Sequence, residues 1–128
     1  MVVLCLIILI SSYNMSKAVT SVYVISNIIN KELSAYQVDG TNLIYQNDYT
    51  TSKGSPVGLA ILDSEFLFIT FESSQSPSSI DIVNAKLLEN VDVASIPNAY
   101  NLAGIVGDNG NSKVYICKNI LDNTIYNM

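Results

Sequence analysis

A short apolar segment that occurs three times at nearly equal spacing constrains this chain more than any other feature. VYVISN begins at Val22, LFITFE at Leu67 and VYICKN at Val114, so the copies are 45 and 47 residues apart. Three further sets repeat in step with it. LSAY, IDIV and IYNM begin at residues 33, 80 and 125, GLAI and NLAG at 58 and 101, and LIYQNDY and LLENVDV at 43 and 87. Four segments with one common period indicate copies of a single structural unit.

The stretch from Asn101 to Asn119 shows what the unit contains. An apolar run over residues 102–106 precedes Asp108-Asn109-Gly110-Asn111, and the β-branched and aromatic run VYIC follows it. Asn and Gly accept positive φ angles, so an Asn-Gly pair between two apolar runs predicts a β-hairpin. The Asp/Asn cluster also suggests a calcium loop. It lacks the later acidic ligand and the alternating spacing of such loops, which favours an ordinary turn.

A period of about 40 to 50 residues made of four short strands is what one blade of a β-propeller requires. We therefore predict an all-β fold of four-stranded antiparallel blades of a β-propeller, incomplete at about two and a half blades, after an N-terminal signal helix. The third repeat is expected to stop early, because residues 123–128 correspond to the beginning of its third strand. A β-sandwich is the alternative, although it would not explain four segments that repeat in step.

The repeats also resemble a known family. VYVISN, VYICKN and IDIVNA are similar to the YVTN-type β-propeller repeat of surface-layer and other exported proteins. LFITFE departs from that pattern, because Phe68 replaces the tyrosine and the segment ends without Asn. The resemblance covers about residues 21–128 and implies an architecture rather than an activity, since propellers have many unrelated functions.

The N-terminal segment has the pattern of a secretory signal peptide. Residues 2–10 are continuously apolar, which is too short for a membrane-spanning helix, and Ser16-Lys17-Ala18 offers small residues at both positions that a signal peptidase reads. No Lys or Arg precedes the apolar run, so a buried strand or a wrongly assigned start site is the alternative. We predict a signal peptide over residues 1–18, cleavage after Ala18, and a partial β-propeller domain over residues 19–128.

Residue content argues against most enzyme sites. The chain has no histidine and two cysteines, which excludes imidazole bases, histidine metal ligands and thiolate zinc clusters. If the leader is removed, Cys117 is the one remaining thiol, and its apolar strand favours a small hydrophobe over a reactive or intermolecular thiol. The carboxylate pairs Asp63/Glu65 and Glu89/Asp92 fit solvated charge better than an acid/base couple. No catalytic, cofactor-binding or metal-binding residue is therefore expected, and no cofactor.

The sequence predicts a non-catalytic exported or cell-surface module that interacts with a protein or ligand. The alternative is a fragment of a propeller enzyme, lactonase-like or quinone-dependent dehydrogenase-like, whose catalytic residues lie outside this chain. A net charge of −5 without arginine disfavours nucleic acid, and no membrane span is expected in the mature chain. The partner is expected to be an unidentified protein or cell-envelope component, and open blade edges favour self-association. The tyrosines at 23 and 115 are expected to pack between blades, and the Ser-rich segment 73–79 to be a polar loop.

Overall fold

Apolar segments rich in Val, Ile, Leu and aromatic residues form the strands of three antiparallel sheets. The structure is a computed structural model, and it describes residues 5–12, 19–26, 32–72, 77–99, 102–118 and 125–127. Within these ranges there are eleven strands and no helix, so none of the described segments could cross a membrane as a helix. The strands are β1 (Cys5–Ser12), β2 (Val19–Ser26), β3 (Glu32–Asp39), β4 (Asn42–Thr50), β5 (Pro56–Leu62), β6 (Phe66–Phe71), β7 (Ser78–Asn84), β8 (Asn90–Ile96), β9 (Leu102–Asp108), β10 (Lys113–Lys118) and β11 (Ile125–Asn127).

Each sheet follows the order of the chain. The first sheet has the order β1-β2-β3-β4, the central sheet β5-β6-β7-β8, and the third sheet β9-β10-β11. Val22, Leu67 and Val114 all lie in the second strand of their sheets and are 3%, 0% and 2% exposed. The pairing repeats as well. Leu67 pairs with Val83, Val22 pairs with Tyr36, and Tyr36 precedes Val83 by 47 residues. The predicted repetition of one structural unit is therefore confirmed.

The sheets pack face to face, and the contacts repeat in register. Tyr23 and Ile25 of the first sheet share one apolar cluster with Leu67 and Ile69 of the central sheet. On its opposite side the central sheet contributes Phe68 to a second cluster, with two residues of the third sheet. Those two residues are Val114 and Ile116. Even and odd positions of a strand point to opposite faces, so a single strand such as β6 fills both interfaces.

Strand position within a sheet determines exposure. The fourth strands, β4 and β8, are mostly exposed, whereas β6 is buried along nearly its whole length. The first strands of the central and third sheets approach each other closely at Gly58 and Gly107. A Cβ atom on Gly58 would lie 2.7 Å from the carbonyl oxygen of Ala103, and one on Gly107 would overlap the carbonyl oxygen of Ile61. These glycines let β5 and β9 lie side by side.

The structure differs from the sequence prediction at two segments. Residues 5–12, which we predicted to belong to a signal helix, are strand β1, paired along their length with β2. The composition of residues 49–55, rich in Thr, Ser, Lys and Gly, predicts an exposed loop. Instead, Tyr49 and Thr50 complete β4, and Thr51 is buried. The predicted cleavage after Ala18 lies outside the described residues, as do residues 73–76 of the Ser-rich loop.

Candidate functional site

The carboxylate of Asp81 is the centre of a buried polar network between the first and central sheets. Asp81 lies in β7 and is 0% exposed. It accepts hydrogen bonds from the Tyr49 hydroxyl at 3.1 Å and the Ser52 backbone N–H at 2.8 Å, and it also accepts one from the Ser52 hydroxyl. A buried charge needs such partners to offset its lost hydration. This network joins the loop after β4 to the third strand of the neighbouring sheet.

Tyr49 extends the network to the outer edge of the central sheet. Its hydroxyl accepts a hydrogen bond from the Asn90 side-chain amide at 3.0 Å, while it donates to Asp81. Burial raises the pKa of Tyr49 above its ordinary value, which keeps the phenol in the neutral form that can donate. Each side chain of this network is hydrogen-bonded to another member, and the sequence analysis did not predict the network. An acidic residue inside the apolar run IDIV was the one available signal.

Two hairpin turns meet at one end of the sheets. The Asp63 N–H donates to the side-chain oxygen of Asn109 at 2.8 Å, and the Ser112 hydroxyl donates to the Asp63 carboxylate at 3.1 Å. Within the second turn, Asp108 accepts hydrogen bonds from Gly110 and Asn111. The Asn111 side chain, the main cause, lowers the pKa of Asp108 below its usual range. The predicted hairpin is confirmed, and its polar side chains hold the turns.

Among the four carboxylates of the predicted pairs, Asp63 takes part in the contact between the two turns. Asp63 and Glu65 are exposed in the β5–β6 turn, and Glu89 and Asp92 are exposed beside and within β8. Among the described residues, no group of three or more His, Cys, Asp or Glu side chains is placed to hold a metal ion. The tyrosine at 23 packs between sheets as expected and donates to the carbonyl oxygen of Ala85 at 2.8 Å.

Exposed apolar side chains lie on β4, as Leu43, Ile44 and Tyr45, and on two further surfaces. We call the first of these two the β8 patch; it lies on the outermost strand of the central sheet and the turn before it, and it consists of Leu87, Val91 and Val93. These side chains are 55%, 52% and 44% exposed. β8 is also the end strand of its sheet, so one backbone edge is available for pairing.

The second surface is the side of the third sheet that faces away from the central sheet. We call it the open face; it consists of Gly104, Val106, Tyr115 and Cys117, which line a shallow groove of about 360 Å³. Val106 is 60% exposed and Cys117 is exposed as well. Cys117, which was predicted to behave as a small hydrophobe in its apolar strand, is therefore exposed and not part of the core. Its side chain points to the face that no described strand covers, while its neighbour Ile116 fills the core.

Comparison with known proteins identifies the architecture. No family model and no curated protein matches the sequence. The structure is similar to the β-propeller domain of Cps50 (Swd1) from Myceliophteria thermophila, with a TM-score of 0.63 at 11% sequence identity. The match covers 83% of this chain and 36% of that one, so this chain spans about a third of the length of the domain it resembles. At this identity the likeness concerns the fold alone. The three sheets are thus blades of an incomplete β-propeller, as the repeat predicted.

Proposed function

We propose that the chain is a non-catalytic β-propeller module, exported or held at the cell surface, that binds a protein or a cell-envelope component. The observation that carries this proposal is the β8 patch. Exposed apolar side chains that cluster on one strand are a common mark of protein interaction sites. The buried polar groups Asp81 and Tyr49, by contrast, satisfy one another. They are therefore occupied in maintaining the fold.

The chemistry of the patch specifies the kind of partner. Val91 and Val93 alternate with Asp92 along β8, so the two valines project on the same side of the strand. An extended segment of the partner can pair with the free edge of β8 while its apolar side chains contact the valines. This mode of binding adds a strand to a sheet and combines main-chain hydrogen bonds with side-chain selectivity. The partner is expected to carry an extended apolar segment.

The binding test uses the purified chain and envelope fractions of the cell that produces it. We expect the double variant Val91→Ser/Val93→Ser to bind at least about tenfold more weakly, which corresponds to about 1.4 kcal/mol. Ser95→Ala, on the same strand, is the matched control and should bind as the unaltered chain does. Equal binding by the double variant and the control would contradict the proposal.

Export rests on the sequence of residues 1–18 and is tested separately. If the chain is exported, the protein recovered from the medium or the envelope should begin at Val19. Recovery of the chain from the cytoplasm alone, with Met1 or Val2 at its N-terminus, would overturn this part of the proposal. The outcome also has a structural consequence, because cleavage after Ala18 removes β1 and leaves β2 at the edge of the first sheet.

A further inference from the structure

The sequence contains one asparagine that is followed directly by glycine, Asn109 in the turn between β9 and β10. Both Asn109 and Gly110 are exposed to solvent. Because glycine has no Cβ, the backbone nitrogen of Gly110 is open to attack on the side chain of the residue before it. An exposed Asn-Gly pair is therefore the local sequence that most readily loses ammonia from the asparagine amide.

The side chain of Asn109 also joins two sheets. Its oxygen accepts a hydrogen bond from the backbone N–H of Asp63 at 2.8 Å, and Asp63 lies in the turn between β5 and β6. The Ser112 hydroxyl reinforces this contact by donating to the Asp63 carboxylate at 3.1 Å. The reactive amide thus belongs to a side chain that links the central and third sheets at this end.

The backbone nitrogen that must react is held as well. Gly110 donates its N–H to the Asp108 carboxylate at 3.0 Å. This nitrogen becomes a nucleophile only when it loses its proton, and a negative charge next to a carboxylate is unfavourable. Ring closure also changes the torsion angles of the Asn109 side chain, which the hydrogen bond from Asp63 restrains. In the folded turns, the nucleophile and the amide are therefore both held back from reaction.

We propose that Asn109 is a deamidation site whose rate is controlled by the contact between these two turns. When the turns separate, Gly110 loses its N–H proton to hydroxide, and its nitrogen attacks Cγ of Asn109. The new bond between Cγ and this nitrogen closes a succinimide ring, the bond between Cγ and Nδ2 breaks, and ammonia leaves with a proton taken from water, which regenerates the hydroxide. Water then opens the ring at either carbonyl and yields aspartate or isoaspartate. No electrons are transferred, and water is the co-reactant.

Deamidation changes the turn permanently, because the ammonia is lost to solvent. The isoaspartate product places an additional carbon in the backbone between position 109 and Gly110. The turn then no longer has the length that fits the pairing of Lys113 with Asp108, and the contact with Asp63 is released. This inference concerns the contact between two turns and does not rest on the β8 patch or on the proposed binding function.

The first test measures deamidation of the full chain at mildly alkaline pH, in the folded state and in urea. Peptide mapping by mass spectrometry locates the modified residue. We expect deamidation of Asn109 to be at least about tenfold slower in the folded chain, because the reaction there requires local opening of the turns. Equal rates in the two states, or modification confined to other asparagines, would overturn the proposal.

A variant shows whether the contact with Asp63 controls the rate. Ser112→Ala removes the hydroxyl that donates to Asp63 and leaves Asn109 and Gly110 in the sequence. We expect deamidation of the folded variant to be about fivefold faster, as the loss of one hydrogen bond predicts. Ser95→Ala, which changes an exposed serine on β8, is the control and should deamidate at the rate of the unaltered chain. An unchanged rate in Ser112→Ala would contradict the inference.

The last test follows the contact itself. The negative charge that deamidation adds allows the isoaspartate form to be separated by ion exchange. In this form we expect the Asp63 amide proton to exchange with solvent at least about tenfold faster than in the unmodified chain. Asn109→Asp carries the charge without the additional backbone carbon and should keep Asp63 protected, since its carboxylate can still accept that N–H. Equal protection of Asp63 in the isoaspartate form and the unmodified chain would refute the release of the contact.

Discussion

The side chain of Asp81 has no access to water. Its hydrogen bonds therefore replace the hydration that the carboxylate loses on folding. Replacing it with alanine leaves the Tyr49 hydroxyl and the Ser52 N–H without their acceptor. We expect Asp81→Ala to lower the free energy of unfolding by about 3 kcal/mol. Urea unfolding measures the change. Asp92→Ala, an exposed aspartate one strand away, serves as the control and should change it by less than about 0.5 kcal/mol. Equal unfolding midpoints in the two variants would contradict the role of the network.

The hydroxyl of Tyr23 joins the first sheet to the turn after β7 by donating to the carbonyl oxygen of Ala85. In Tyr23→Phe the carbonyl of Ala85 loses this donor while the ring keeps its packing. A loss of about 1 kcal/mol is expected. Tyr45→Phe is the matched control, because the Tyr45 hydroxyl donates to Asp48 at the surface, and it should be close to neutral in urea unfolding. A neutral Tyr23→Phe variant would be evidence against this contact.

Alkaline pH should weaken the fold through the same tyrosines. Burial raises the pKa of Tyr23 and of Tyr49 above the ordinary value of 10.0. The unfolded chain therefore releases these protons at a lower pH than the folded chain does, and stability falls as pH rises above about 10. Below that pH the contribution is fully present. Urea midpoints measured from pH 8 upwards should fall less steeply in Tyr23→Phe than in the unaltered chain, and identical slopes would be the contrary result.

At the scale of strands, the sequence predicted most clearly the strands that pack against a neighbouring sheet on both faces, such as β6. The segment LFITFE was predicted as one of the repeated strands, and β6 (Phe66–Phe71) contains all of it except Glu72. The outer strand β4 was predicted from the repeat of LIYQNDY, because the polar residues that follow Tyr45 have no strand pattern of their own. Asp81 was not recognised as a structural centre, since its partners lie 29 and 32 residues away in the chain and no local pattern reports such a distance.

The approach of β5 to β9 depends on two glycines and allows a test with matched substitutions. Gly107→Ala would place a methyl group against the backbone of Ile61, where no side chain can move aside. Overpacking of this kind costs about 1 to 3 kcal/mol. Gly104→Ala lies on the same strand, and its nearest atom would be the Cβ of Cys117 at 4.0 Å, so it should be tolerated. Thermal unfolding compares them, and equal transition temperatures would indicate that the strands are further apart.

At the scale of the whole molecule, the three sheets form an arc whose successive interfaces are built from the same positions of one repeat. The sequence predicted that arrangement, because the four segments of the repeat recur along the chain with one common period. The role of the N-terminal segment was not, since a run such as VVLCLIILI has the composition both of a leader and of a buried strand. Composition alone does not distinguish the two. Pairing with β2, which the sequence does not encode locally, places residues 5–12 in the first sheet.

A chain that begins at Val19 distinguishes these two roles. If β1 stabilises the first sheet, removing residues 1–18 exposes the backbone of β2, and amide protons in β2 should exchange with solvent at least about tenfold faster than in the full chain. Amides of β10, whose neighbours in the third sheet are unchanged, provide the internal control. Equal protection of β2 in both forms would mean that the first sheet is complete with three strands, as a mature exported chain would require. Faster exchange confined to β2 would instead show that residues 5–12 belong to the folded blade, because only the strand that pairs with them would lose protection from exchange.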